Sequence, residues 1–134
     1  MPFVNLPDAL NTDFELLRQL PDDTGPKLFK QFLKLAQRAV ITGTEEDASN
    51  DNKMFAAAAG KIGDTCSPDN VRRVVLGISL ILVQSAKAGH LLSTNDLMFS
   101  IAAVGFPNNY ASLLCKHFFL YASDIREHLQ KTHK

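Results

Sequence analysis

Apolar residues recur along this chain at helical spacing, and two segments show it most clearly. From Leu28 onward, Leu28, Phe29, Phe32, Leu33, Leu35, Ala36, Ala39 and Val40 share one wide face, while Lys27, Lys30, Lys34 and Arg38 fall on the other. Pro26 suits the first position of this helix, where its missing N–H costs nothing. The second segment opens at Ser67-Pro68-Asp69: an N-cap, a proline at the first position and an acid at the positive end of the helix dipole. It predicts a helix to Lys87-Ala88, closed by Gly89 as a left-handed C-cap. Val71, Val74, Val75, Ile78, Ile81 and Leu82 form one face of that helix. Leu76, Leu80 and Val83 form a second stripe on the far side, beside Arg73 and Lys87. A helix apolar on two sides sits at the centre of a bundle or covers a partner.

Weaker signals fill in the remaining elements. Thr12-Asp13-Phe14-Glu15 reads as a capping box that starts a short helix ending before Pro21. Residues Thr42 to Asn52 are small, polar and acidic, which predicts a flexible surface loop. An Ala-rich helix is expected from about Lys53 to Ile62, closed by Gly63. Ser93 or Thr94 caps a fifth helix through Leu97, Ile101 and Ala102, terminated by Gly105-Phe106-Pro107. Asn108 opens a sixth through Tyr110, Leu114, Phe118 and Tyr121, continuing or breaking briefly at Ser123-Asp124 before Ile125 and Leu129. No strand pair is legible. The expectation is one all-α domain over residues 1–134, a compact bundle of six to seven helices around the central helix Pro68-Ala88.

Composition narrows the function. A chain of 134 residues fits a single domain. Its 14 basic and 14 acidic residues balance, whereas a dedicated nucleic-acid binder carries a basic excess. The longest apolar run, Val74 to Val83, is about half of the roughly twenty residues a membrane span needs. The start lacks the basic and apolar regions of a signal peptide. With only Cys66 and Cys115, it favours a reducing, cytoplasmic setting.

Candidate chemistry is sparse. Cys115 and His117 are two residues apart and point about 200° apart on a helix, so they cannot chelate one ion together. His90, His128 and His133 complete the histidines and read as structural or solvated ones; a small metal sensor using Cys115, His117 and His128 is the rival reading. Glu45-Glu46-Asp47 with Asp51 lacks the spacing and central glycine of a calcium loop. No nucleophile elbow or phosphate loop is present, so the expectation is a non-enzymatic chain without metal or cofactor. Two surface features remain. The stripe of Lys27, Lys30, Lys34 and Arg38 suits an acidic partner or lipid headgroups, or is simply a solvated helix face. On the last helix Leu113 and Leu120, seven residues apart, emerge opposite the core face of Tyr110, Ala111, Leu114, Phe118, Ile125 and Leu129. They lie among Lys116 and Glu127, so Leu113, Lys116 and Leu120 are the candidate partner interface.

The order of features carries a resemblance. A short helix, Leu20-Pro21, an amphipathic helix and an acidic loop lead to the central VRRVVLGISLILVQSAK (Val71 to Lys87). NDLMFSIAAVGF (Asn95 to Phe106) and ASDIREHL (Ala122 to Leu129) follow. Over about residues 14 to 130 this resembles the helical N-terminal domain of the COMM-domain-containing family. The resemblance implies a non-enzymatic protein that assembles with other family members and coiled-coil scaffold subunits into an endosomal cargo-recycling complex. It also implies links to NF-kappa-B control, ubiquitin ligases and copper handling, and a cytoplasmic location that reaches endosomes through partners. These 134 residues do not include the family's C-terminal COMM domain, with its tryptophan-containing strand, and have no Trp, so the expectation is either an N-terminal fragment of such a protein or a shortened relative. Obligate pairing is therefore not implied, the isolated domain is expected to be monomeric, and no copper-binding motif matches these positions. A stand-alone helical adaptor outside the family is the alternative.

Overall fold

The computed structural model describes residues 6, 10–20, 23–41, 48–63, 67–88 and 92–132. Its centre is α5 (Pro68–Lys87), whose start follows from local chemistry. The Ser67 hydroxyl accepts the Asn70 backbone N–H at 3.4 Å, Pro68 occupies the first turn and Asp69 sits at the positive dipole end. Val71, Val74, Val75, Ile78, Ile81 and Leu82 are all buried. Burying each such side chain contributes about 1.5–3 kcal/mol, which outweighs the few tenths by which β-branching penalises a helix. Gly89, the expected C-cap, lies outside the described residues.

Around α5 pack α3 (Gly25–Ile41), α4 (Ala48–Ile62) and α7 (Asn108–Thr132), with the single turns α1 (Leu10–Asp13) and α2 (Glu15–Arg18) on another side. The remaining helix, α6 (Thr94–Ala103), lies on α7. Among the described residues the fold is an all-α bundle of seven helical segments without a strand. The central place of α5 covers its second stripe only in part: Leu80 is partly buried against the core, whereas Leu76 stays exposed. Ser79 ties α5 to α3 by donating to the Ala36 carbonyl at 3.2 Å as well as to its own Val75 carbonyl.

The α6–α7 corner is set by Gly105, at φ +81°. Phe106 N–H donates to the Ile101 carbonyl and Gly105 N–H to that of Ala102, the paired closure of a Schellman turn. At the start of α6 the Ser93 and Asp96 side chains each accept the other's backbone N–H, a complete capping box. Arg18 donates to the Gly105 carbonyl at 2.6 Å and to Asn11 Oδ1 at 3.1 Å, fastening the N-terminal turns to this corner. Phe14, Phe29, Phe106 and Tyr110 close the same end of the bundle, with Phe14 edge-on to Phe106 at 4.9 Å and Phe29 stacked on Tyr110 at 4.8 Å.

Two expectations on the elements need correction, and one left open is decided. The Thr12 capping box does not form: Thr12 lies inside α1, and no side chain caps α2, which follows Phe14. Leu10 and Phe14 are both buried, and Gly77 of α5 lets them approach so closely that a Cβ there would stand 3.0 Å from the Phe14 ring. Burying two such side chains outweighs the roughly 1 kcal/mol of one cap, so the helical turn starts at Leu10. The polar segment 42–52 is not all loop, because α4 begins at Ala48; 42–47 lie outside the described residues. Phe55 is buried, and a hydrogen-bonded helix at that point needs a helical turn ahead of it. Of the two courses left open at Ser123-Asp124, α7 takes the unbroken one, because Ala122 and Ile125 on either side are buried.

Candidate functional site

The two surface features read from the sequence meet in space. A groove runs between α3 and α7, and α3 lines it with Lys30, Leu33, Lys34 and Gln37. The other wall, from α7, is Leu113, Lys116, His117, Leu120 and Tyr121. Helical geometry explains the pairing. Residues 30, 34 and 37 are successive turns of one α3 edge, and 113, 116–117 and 120–121 are successive turns of one α7 edge. The floor is apolar, with Leu33 buried and Leu113 partly buried against the core. The rim is cationic: Lys30, Lys34 and Lys116 are all exposed, and among the described residues no acidic side chain lines the groove.

Leu113 and Leu120 are not equivalent, which corrects the expectation of one outward stripe. Leu120 is 70% exposed, whereas Leu113 belongs to the partly buried shell around the core. Over seven residues a straight helix drifts about 20° from an exact repeat, and Leu113 turns far enough inward to pack against the core. The basic stripe also divides. Lys30 and Lys34 line the groove; Lys27, although exposed, and Arg38, half-buried, do not.

Leu120 and Lys116 form a ridge with a second groove on its other side, lined by Thr94, Asn95 and Met98 of α6 and by Ser112, Cys115 and Phe119 of α7. Phe119 is 38% exposed and Phe99 on α6 71%. The sequence reading missed both. The signal was the Phe118-Phe119 pair: adjacent helical residues are about 100° apart, so one core face cannot take both rings. It also missed Leu33 and Tyr121 as groove residues, since that role depends on which helix lies beside α3.

The groups weighed for metal chemistry are placed differently. Cys115 is buried, and desolvation pushes its thiol up to about 11. His117 lines the α3–α7 groove, with its ring 4.8 Å from that of Tyr121. Its Nε2 is buried without a hydrogen-bond partner among the described residues, and burial lowers its pKa below the ordinary value of 6.5. His128 is half-buried further along α7. Among the described residues no three His, Cys, Asp or Glu side chains cluster as metal ligands would; Cys66, His90 and His133 lie outside them. Among those residues no helix is long and apolar enough to cross a membrane. Comparison with known proteins finds no family model, curated protein or solved structure that matches the chain.

Proposed function

We propose that this chain is a non-enzymatic protein-interaction module and that the α3–α7 groove with its Leu120 ridge is where a partner docks. The observation that carries this reading is the convergence of two features found independently in the sequence, the Lys30/Lys34 stripe and the Leu113/Leu120/Lys116 edge, on one groove. A leucine 70% exposed at its lip is what a protein interface presents before it is covered. The thiol chemistry points the same way, because a buried cysteine held protonated is a poor nucleophile. Within the COMM-domain-containing family, the helix order and quoted strings most resemble COMM domain-containing protein 2. The biological setting proposed is therefore that family's: a cytoplasmic subunit of an endosomal cargo-recycling assembly, contacting other family members and coiled-coil scaffold subunits, with NF-kappa-B and ubiquitin-ligase regulation as further roles.

The test is site-specific photo-cross-linking in cells, with the reactive residue at position 120 and, as control, at the exposed position Arg72 on α5. Position 120 is expected to capture discrete protein partners that position 72 does not. In parallel, Leu120→Gln should keep the melting temperature within a few degrees and reduce co-purification of those partners. Equal capture from both positions refutes the groove as the docking surface.

A further inference from the structure

We infer that the occupant of the α3–α7 groove is an acidic amphipathic helix of a partner protein. The inference rests on the groove being a docking surface and adds what kind of segment it takes.

Charge comes first. The chain as a whole is neutral, with 14 basic and 14 acidic residues, yet the groove gathers Lys30, Lys34 and Lys116 and, among the described residues, no carboxylate. Such a rim attracts acidic segments and repels basic ones, which governs encounter and choice of partner. The floor comes next: Leu33 and Leu113 lie between the lysines, with the exposed Leu120 at the lip. A fitting ligand therefore carries an apolar stripe flanked by carboxylates.

Backbone satisfaction selects a helix over an extended peptide. Strand addition draws its affinity from main-chain hydrogen bonds to an open edge. Both walls here are the interiors of helices, Gly25–Ile41 and Asn108–Thr132, whose amides and carbonyls are already paired. An extended peptide would leave its own backbone groups unmatched in the groove, at a cost for each one desolvated. A helix arrives with them satisfied and packs its side-chain ridges between those of α3 and α7. The wall from Leu113 to Leu120 rises about 10 Å, enough for two turns of the occupant to bury residues at i, i+3 or i+4, and i+7. An anionic bilayer meets the charge requirement but not the shape, because a planar surface cannot reach the recessed floor at Leu33.

The experiment uses the full 134-residue chain and fluorescent peptides of about 18 residues with leucines at i, i+3, i+4 and i+7. One peptide has glutamates at the remaining positions and the other has lysines. Fluorescence anisotropy should show saturable binding of the glutamate peptide and at least ~10-fold weaker binding of the lysine peptide. Affinity for the glutamate peptide should fall steeply between low salt and about 0.5 M, as screened charge requires. Lys34→Glu with Lys116→Glu, checked for helicity, should weaken the glutamate peptide ~10-fold or more and improve the lysine peptide. Leu120→Gln should weaken the glutamate peptide. Equal binding of both peptides that is lost in Leu120→Gln overturns the acidic occupant while leaving the docking surface standing. Absence of glutamate-peptide binding, or binding of phosphatidylserine vesicles in its place, also overturns the inference. The cross-linking at position 120 is read independently of these results.

Discussion

Cys115, Ser85 and His117 are polar groups that the fold buries at a cost, and each makes a measurable difference. The Cys115 thiol titrates at about 11 in the folded chain against 9.0 for an ordinary thiol, because burial disfavours the thiolate. Its stabilising contribution is therefore complete below about pH 9 and is lost as pH rises toward 11. His117 is shifted the other way, below 6.5, so its contribution holds above that value and is lost as pH falls below it. Urea unfolding across pH should show the wild-type midpoint declining at both ends. Cys115→Ala should be flatter on the alkaline side and His117→Gln on the acid side; unchanged slopes would refute the assignments. Native Cys115 should also resist iodoacetamide at neutral pH and react once urea unfolds the chain. Ser85, on α5, is fully buried and its hydroxyl has no hydrogen-bond partner among the described residues. An orphaned buried hydroxyl destabilises, so Ser85→Ala should leave stability unchanged or raise it by about 1 kcal/mol in denaturant titration. A loss larger than that would mean the hydroxyl is bonded.

Among the elements, the α6–α7 corner depends most on a single residue. At Gly105, φ is +81°, and an added Cβ would meet the Asn11 carboxamide and lie 2.7 Å from Arg18 Nη2. Gly105→Ala should therefore cost about 1–3 kcal/mol through backbone strain and loss of the Arg18 clamp. Gly60 on α4 is the control: a Cβ there meets nothing within 4 Å, so Gly60→Ala should be neutral or stabilise by up to about 1 kcal/mol through helix propensity. Thermal melts of the two variants should move in opposite directions or differ by several degrees. The Gly105 corner and the Ser67 and Ser93 caps were legible in the sequence because they are local, with signal and structure within five residues. Thr12 misled for the same reason. Its capping signal was sound, but burial of Leu10 and Phe14 against α5 decided where the turn began, and that packing partner is more than sixty residues away. The groove was half legible: its residues stood out one wall at a time, while the adjacency of α3 and α7 is a property of the packed bundle.

For the molecule as a whole, that adjacency matters most. The groove's walls come from residues 30–37 and 113–121, so neither exists as a surface until the chain has folded. A ligand of the groove has no site on the unfolded chain, and mass action then adds its full binding free energy to stability: about 2.7 kcal/mol at a hundredfold excess over Kd. For a domain of this size that corresponds to roughly 5–10 °C in melting temperature, so a melt with and without the glutamate peptide reports occupancy with no label on the protein. The relation also runs in reverse. Ile78 is fully buried at the centre of α5 and does not line the groove, and Ile78→Ala should cost about 2–5 kcal/mol. If that depopulates the native state, apparent affinity falls in proportion to the folded fraction although every groove contact is intact. Any ligand that docks in the groove is thereby coupled to the chain's folding equilibrium: heat, a distant core lesion or a competing binder of the unfolded chain would each release it without touching the surface it occupies.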